Sequence, residues 1–71
     1  MHLKNFSLRF LQEKTGIAGP RLSRIFNGQG VGENTIRRMA GSLNMEPAEV
    51  YRQIEEIRRE KKARKEAEAN A

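Results

Sequence analysis

The chain has no cysteine, no tryptophan and no aspartate, and its one histidine, His2, stands next to the start. Without cysteine there is no disulfide framework, no thiolate zinc site and no thiol nucleophile. A single imidazole near a terminus cannot build a His-centred metal site or act as a fixed general base. No apolar run approaches the roughly 20 residues that cross a bilayer, and no signal-peptide core follows the start. β-branched apolar residues are few, five Ile and two Val, and period-2 alternation is absent, so strands are not expected. These gaps argue against an enzyme, a membrane protein and a secreted mini-protein. They leave an intracellular, cytoplasmic binding module with no catalytic residue, metal or cofactor.

What is present is charge, unevenly placed. The net charge of 71 residues is +5, from 14 Lys and Arg against nine Glu. Residues 58–71 carry +3 of it and residues 1–57 only +2. Within the latter, 7–30 is basic at +3, through Arg9, Lys14, Arg21 and Arg24, whereas 31–57 is acidic at −2. A basic zone backed by an acidic one produces a directional field that suits an anionic partner approaching one face. Every large apolar residue precedes position 58, the last being Ile57. The expected organisation is therefore a core-forming domain over 1–57 and a basic tail over 58–71, helical or disordered, that can extend the preceding helix and then fray.

Helix signals divide the domain into four segments. The first, about 7–14, has Ser7 as N-cap, Phe6 as a staple, Phe10 and Leu11 facing inward, and a stop at Thr15-Gly16. The second, about 19–27, opens with Gly19-Pro20, where proline's missing N–H costs nothing, and ends at Asn27-Gly28. The third, about 33–43, carries Ile36, Met39, Ala40 and Leu43 as one stripe, with Gly32 as its cap. The fourth opens at Glu46-Pro47 and repeats Val50, Ile54 and Ile57 along one face. The glycine-rich run 28–32 follows a helix and lacks a phosphate-loop lysine, so it predicts a turn rather than a nucleotide site.

Only three or four residues separate the first two helices, and the second has a basic outer face. Leu22, Ile25 and Phe26, with Ile17 from the turn, point to one side and are expected in the core. Pro20, Ser23, Arg24 and Asn27 point to the other, with Arg21 on the flank. This is the arrangement of a helix-turn-helix, whose second helix enters the major groove. The ordered run Thr15-Gly16-Ile17, Leu22-Ser23-Arg24-Ile25, Asn27-Gly28 and Ile36 to Leu43, continuing to Glu46-Pro47-Ala48-Glu49-Val50, resembles the Xre/Cro repressor superfamily over about residues 7–51. The resemblance implies a compact four-helix, lambda-repressor-like domain with an extended C-terminal helix, binding double-stranded DNA as a dimeric repressor.

Carried over residue by residue, the resemblance implies the following roles. Ala18 and Gly19 hold a phosphate at the free N–H groups of the recognition helix. Arg24 forks onto guanine and is the main base reader, with Ser23 as a short-range contact. Arg21 and Lys14 clamp phosphates. Asn27 and Gln29 approach the backbone, and Ser7 makes the phosphate contact at the start of its helix. Three departures modify this. The family's additional first helix is expected to be missing or reduced to a stub. Gln12 stands where the family has a small residue, so it must point outward or widen the corner. Gly19-Pro20 replaces hydrogen-bonding residues, shifting base reading toward Ser23 and Arg24. Val50, Tyr51, Ile54 and Ile57 are expected partly to cover the core and partly to form a homodimer interface. Two rival readings remain: an antitoxin or adaptor that binds a partner chain through the C-terminal helix, and an RNA-binding protein using the basic tail, which the shortage of aromatics disfavours.

Overall fold

The computed structural model describes residues 2–69. A single 3-10 turn, Leu3–Asn5, precedes four α-helices: α1 (Leu8–Thr15), α2 (Gly19–Phe26), α3 (Glu33–Leu43) and α4 (Pro47–Ala69). The chain is all-α, with no strand among the described residues. No helix among them is long and apolar enough to cross a membrane.

The caps explain where each helix begins and ends. Ser7 keeps an extended backbone and its Oγ accepts the Phe10 N–H at 3.1 Å, satisfying a first-turn donor of α1. α1 stops at Gly16, whose φ of 73° is left-handed and whose N–H returns to the Gln12 carbonyl at 2.9 Å. Thr15 is buried but satisfied, donating to the Leu11 carbonyl at 2.7 Å and accepting the Ile17 N–H at 3.2 Å, so its hydroxyl stitches the turn. α3 ends at Asn44, the one non-glycine residue with positive φ (55°) among those described. Asparagine tolerates that conformation better than most.

The core gathers one stripe from each helix. Leu11, Leu22, Ile25, Phe26, Ile36, Met39, Leu43, Val50 and Ile54 are all buried. Phe10 corrects the expected pattern. Expected inward beside Leu11, it is 36% exposed, because the buried line of α1 runs through Leu11 and Thr15 and Phe10 sits about a quarter-turn away. Its ring lies instead on Phe6, centroids 4.7 Å apart.

Two features lock the ends of the chain onto this core. Leu3 is almost wholly buried, and its N–H donates to Gln53 Oε1 on α4 at 2.7 Å. Gln53 in turn donates to Glu49 at 2.9 Å, and Lys4 reaches Glu60 at 3.3 Å and Glu56 at 3.7 Å. α4 is one continuous rod; its 23 residues span roughly 34 Å at 1.5 Å per residue, most of the molecule's 40 Å length. Arg58 is not a solvated tail residue. Its Nε donates to the Ile25 carbonyl at 2.8 Å and its Nη2 to the Gln29 carbonyl, so it caps the C-terminal end of α2 from across the fold. The folded unit thus reaches past Ile57.

Candidate nucleic-acid interface

α2 is presented by the corner it makes with α1. Its buried residues, Gly19, Leu22, Ile25 and Phe26, form the inner stripe. Pro20, Arg24 and Asn27, at i, i+4 and i+7, lie exposed on the opposite side, and Arg24 is the middle of that line. Gln12 is exposed, as expected, and its Oε1 accepts the Gly19 N–H at 3.1 Å, which bridges the corner. A Cβ at Gly19 would come within 2.9 Å of that same oxygen and 3.7 Å of Leu8, so the start of α1, with Ser7, is drawn to the start of α2.

The Gln12 bridge corrects one expectation. Gly19 is buried and its N–H is already bound, Pro20 has none, and Ala18 supplies only the exposed N-cap backbone. Of the first N–H positions of α2, those of Ala18 and Arg21 have no partner among the described residues, so the expected phosphate cradle keeps Ala18 and loses Gly19. Ser7 remains exposed. Its oxygen is engaged as a cap, which leaves the hydroxyl hydrogen free to donate.

The other expected residues divide by what already holds them. Arg21 donates to Thr35 Oγ1 at 3.2 Å, leaning from α2 toward α3. Ser23 is half-buried, and its carbonyl (2.8 Å) and hydroxyl oxygen (3.4 Å) both accept from Asn27 Nδ2. Asn27 Oδ1 faces Lys61 Nζ at 3.4 Å, so the Asn27 amide is engaged at both ends. Gln29 closes the loop, its N–H on the Arg24 carbonyl at 3.0 Å and its own carbonyl on Arg58, with its side chain exposed. Lys14 sits at the far end of α1, its ammonium 5.8 Å from the centre of the Phe10 ring. Arg24 and Lys14 are the cations of this set whose side chains are exposed and have no hydrogen bond or carboxylate partner among the described residues, and of the two only Arg24 stands on the outer face of α2.

The apolar members of the expected dimer interface are a second correction. Val50, Ile54 and Ile57 are buried within the chain's own core, because α3, α2 and the 3-10 turn all pack against α4. Tyr51, 49% exposed, is the one residue of that group on the surface, in a shallow groove with Val31, Ile36, Pro47 and Ala48.

Two further groups of cations stand beside this set. Arg38 places Nη2 3.3 Å from where a Gly16 Cβ would stand, beside the α1–α2 turn, whereas its neighbour Arg37 is tied to Glu33 at 2.7 Å. The stripe of α3 put both arginines outside, but only packing separates the paired one from the other. On α4, Lys61, Lys62 and Lys65 line a groove with Phe26, Asn27 and Gly28. The outer side of α4 holds the acidic zone. Hydrogen bonds from Arg52, then Gln53, lower the Glu49 carboxyl to about 2, and the hydrogen bond that Lys4 donates to Glu60 raises the Lys4 ammonium. Comparison with protein-family models, curated proteins and solved structures finds no match to the chain.

Proposed function

We propose that the chain is a sequence-specific DNA-binding regulator of transcription, a repressor of the Xre/Cro kind, that lays α2 in the major groove. The observation that carries this is Arg24: a guanidinium at the centre of the exposed face of a helix held at a tight corner, with no partner of its own. An arginine so placed can fork onto guanine O6 and N7, a contact contributing roughly 1–3 kcal/mol of discrimination. Arg21, Lys14, Arg38 and the Ser7 hydroxyl stand around it as phosphate contacts, which position the helix without reading sequence. In this reading two copies occupy a two-fold site, touching through the surface around Tyr51, since the apolar seam of α4 lies inside. That burial leaves the adaptor reading only the outer surface of α4 around Tyr51.

The test is selection of bound duplexes from a random pool, followed by titration of the selected site and a scrambled one. A two-fold symmetric site is expected, with a log–log salt slope of about −4 to −7 for ~4–8 phosphate contacts per dimer. Arg24→Ala should abolish the preference for the selected site, whereas Lys14→Ala should weaken both duplexes alike. Equal losses on both duplexes for Arg24→Ala would remove it from base reading.

A further inference from the structure

The stripe of α4 that enters the core does not end where the core ends. Val50, Ile54 and Ile57 are followed on the same side of the helix by Arg58, Lys61, Lys62 and Lys65, spaced i, i+3, i+4 and i+7. Arg58 is consumed as the cap of α2. The three lysines beyond it are exposed, and none has a carboxylate within ion-pair distance among the described residues. Between Arg58 and Lys65 the only acid is Glu60, and it is engaged by Lys4 on another side of the helix. Lys61 meets Asn27 Oδ1 at 3.4 Å, and Asn27 ends the exposed line of Pro20 and Arg24 on α2. Arg24, Asn27, Lys61 and Lys65 are therefore successive points on one cationic surface shared by two helices, not a folded head and a separate tail.

We propose that this face of α4 is a second contact with duplex DNA: Lys61, Lys62 and Lys65 hold the phosphate backbone beside the groove that α2 occupies. The proposal rests on the DNA-binding reading above and adds to it where the rest of the affinity comes from. Ammonium groups on flexible stems suit phosphates as point charges and carry no base specificity, and helix α4, anchored through Arg58 and Ile57, holds them at a fixed height relative to α2. A free anion would meet no enclosed cavity here; a polyanion that follows the surface from Arg24 to Lys65 meets all of the charges at once.

The test compares the parent chain, K61Q/K62Q/K65Q and the charge-retaining K61R/K62R/K65R, each titrated from low to high salt with the selected duplex, a scrambled duplex and single-stranded RNA of equal length. Circular dichroism melts establish that all three chains fold. The glutamine variant should lose affinity for both duplexes by the same factor, on the order of 10²-fold for each bound protomer at 0.1 M salt. Its salt slope should shrink by about 2–3 per protomer, or about 5 for the dimer, since each phosphate contact contributes about 0.9. The arginine variant should behave like the parent. If the parent prefers the selected duplex and the glutamine variant keeps the parent's slope, the α4 contact is wrong while the role of α2 stands. If the parent binds neither duplex, the DNA-binding reading itself fails. Tighter binding of RNA than of duplex, lost in the glutamine variant, would reassign the lysine face to RNA and overturn the proposal.

Discussion

Replacing Leu3 by alanine tests whether the segment before α1 is part of the fold or an appendage. Leu3 is 1% exposed and sits against α4, where its own N–H is bound by Gln53. Buried Leu→Ala changes cost about 2–5 kcal/mol through lost transfer energy and the cavity left behind. A site near a chain end can relax by fraying instead of keeping a void, and fraying would then also forfeit the Gln53 hydrogen bond, itself worth about 1 kcal/mol. Both routes lead to a loss of about 2.5–4 kcal/mol. A domain of 71 residues has about 4–10 kcal/mol in total, so this one side chain carries about a quarter or more of the stability. The melting temperature followed by circular dichroism at 222 nm should fall by roughly 10–25 °C. Leu8→Ala, at a position 42% exposed five residues along, should change it by only a few degrees. Native-state hydrogen exchange should find the Leu3 amide protected in the parent chain. Equal melting of Leu3→Ala and Leu8→Ala, with a fast-exchanging Leu3 amide, would refute the docking of this segment.

Three further outcomes follow from the packing and the charges. Arg58→Ala should cost about 1–2 kcal/mol by uncapping the Ile25 and Gln29 carbonyls, lowering the melting temperature by about 5–15 °C, while Arg59→Ala should leave it nearly unchanged; equal melting of the two variants would show that the cap has no weight. Gly41→Ala should stabilise by about 0.5–1 kcal/mol in urea unfolding, because Gly41 lies within α3 and nothing stands within 4 Å of the added methyl. Glu49 has its carboxyl lowered to about 2 in the folded chain by Arg52 and then Gln53, so its contribution is fully present above its unfolded value near 4.3 and is lost as pH falls through about 2. Acid titration should show a loss of stability over that window that is smaller in Glu49→Gln; an identical profile in the variant would remove Glu49 from the account.

The four helices were legible because their signals are local. Ser7, Gly16, Pro20, Gly32 and Pro47 each act on backbone groups within a turn of themselves, and the boundaries they mark agree with the observed helices to within a residue. The stripes of α2 and α3 were equally plain, since a 3.6-residue period states which side is apolar. Phe10 shows the limit of that rule: two adjacent apolar residues cannot both be central on one face, and the choice fell to Leu11 because the neighbouring helices pack there.

What composition and periodicity determined was an all-α domain with an outward cationic face on α2, because helix propensity, capping and amphipathic spacing are written within a few residues. What only the tertiary structure decided was partnership across the chain. Leu3 meets Gln53 fifty residues away, Arg58 reaches back 33 residues to Ile25, and Gln12 takes the Gly19 N–H that a phosphate would have used. An apolar seam at Val50, Ile54 and Ile57 looks the same in a sequence whether its own chain or a second copy covers it. The fold resolves this, because α3, α2 and the 3-10 turn of the same molecule all pack against α4 and bury that seam.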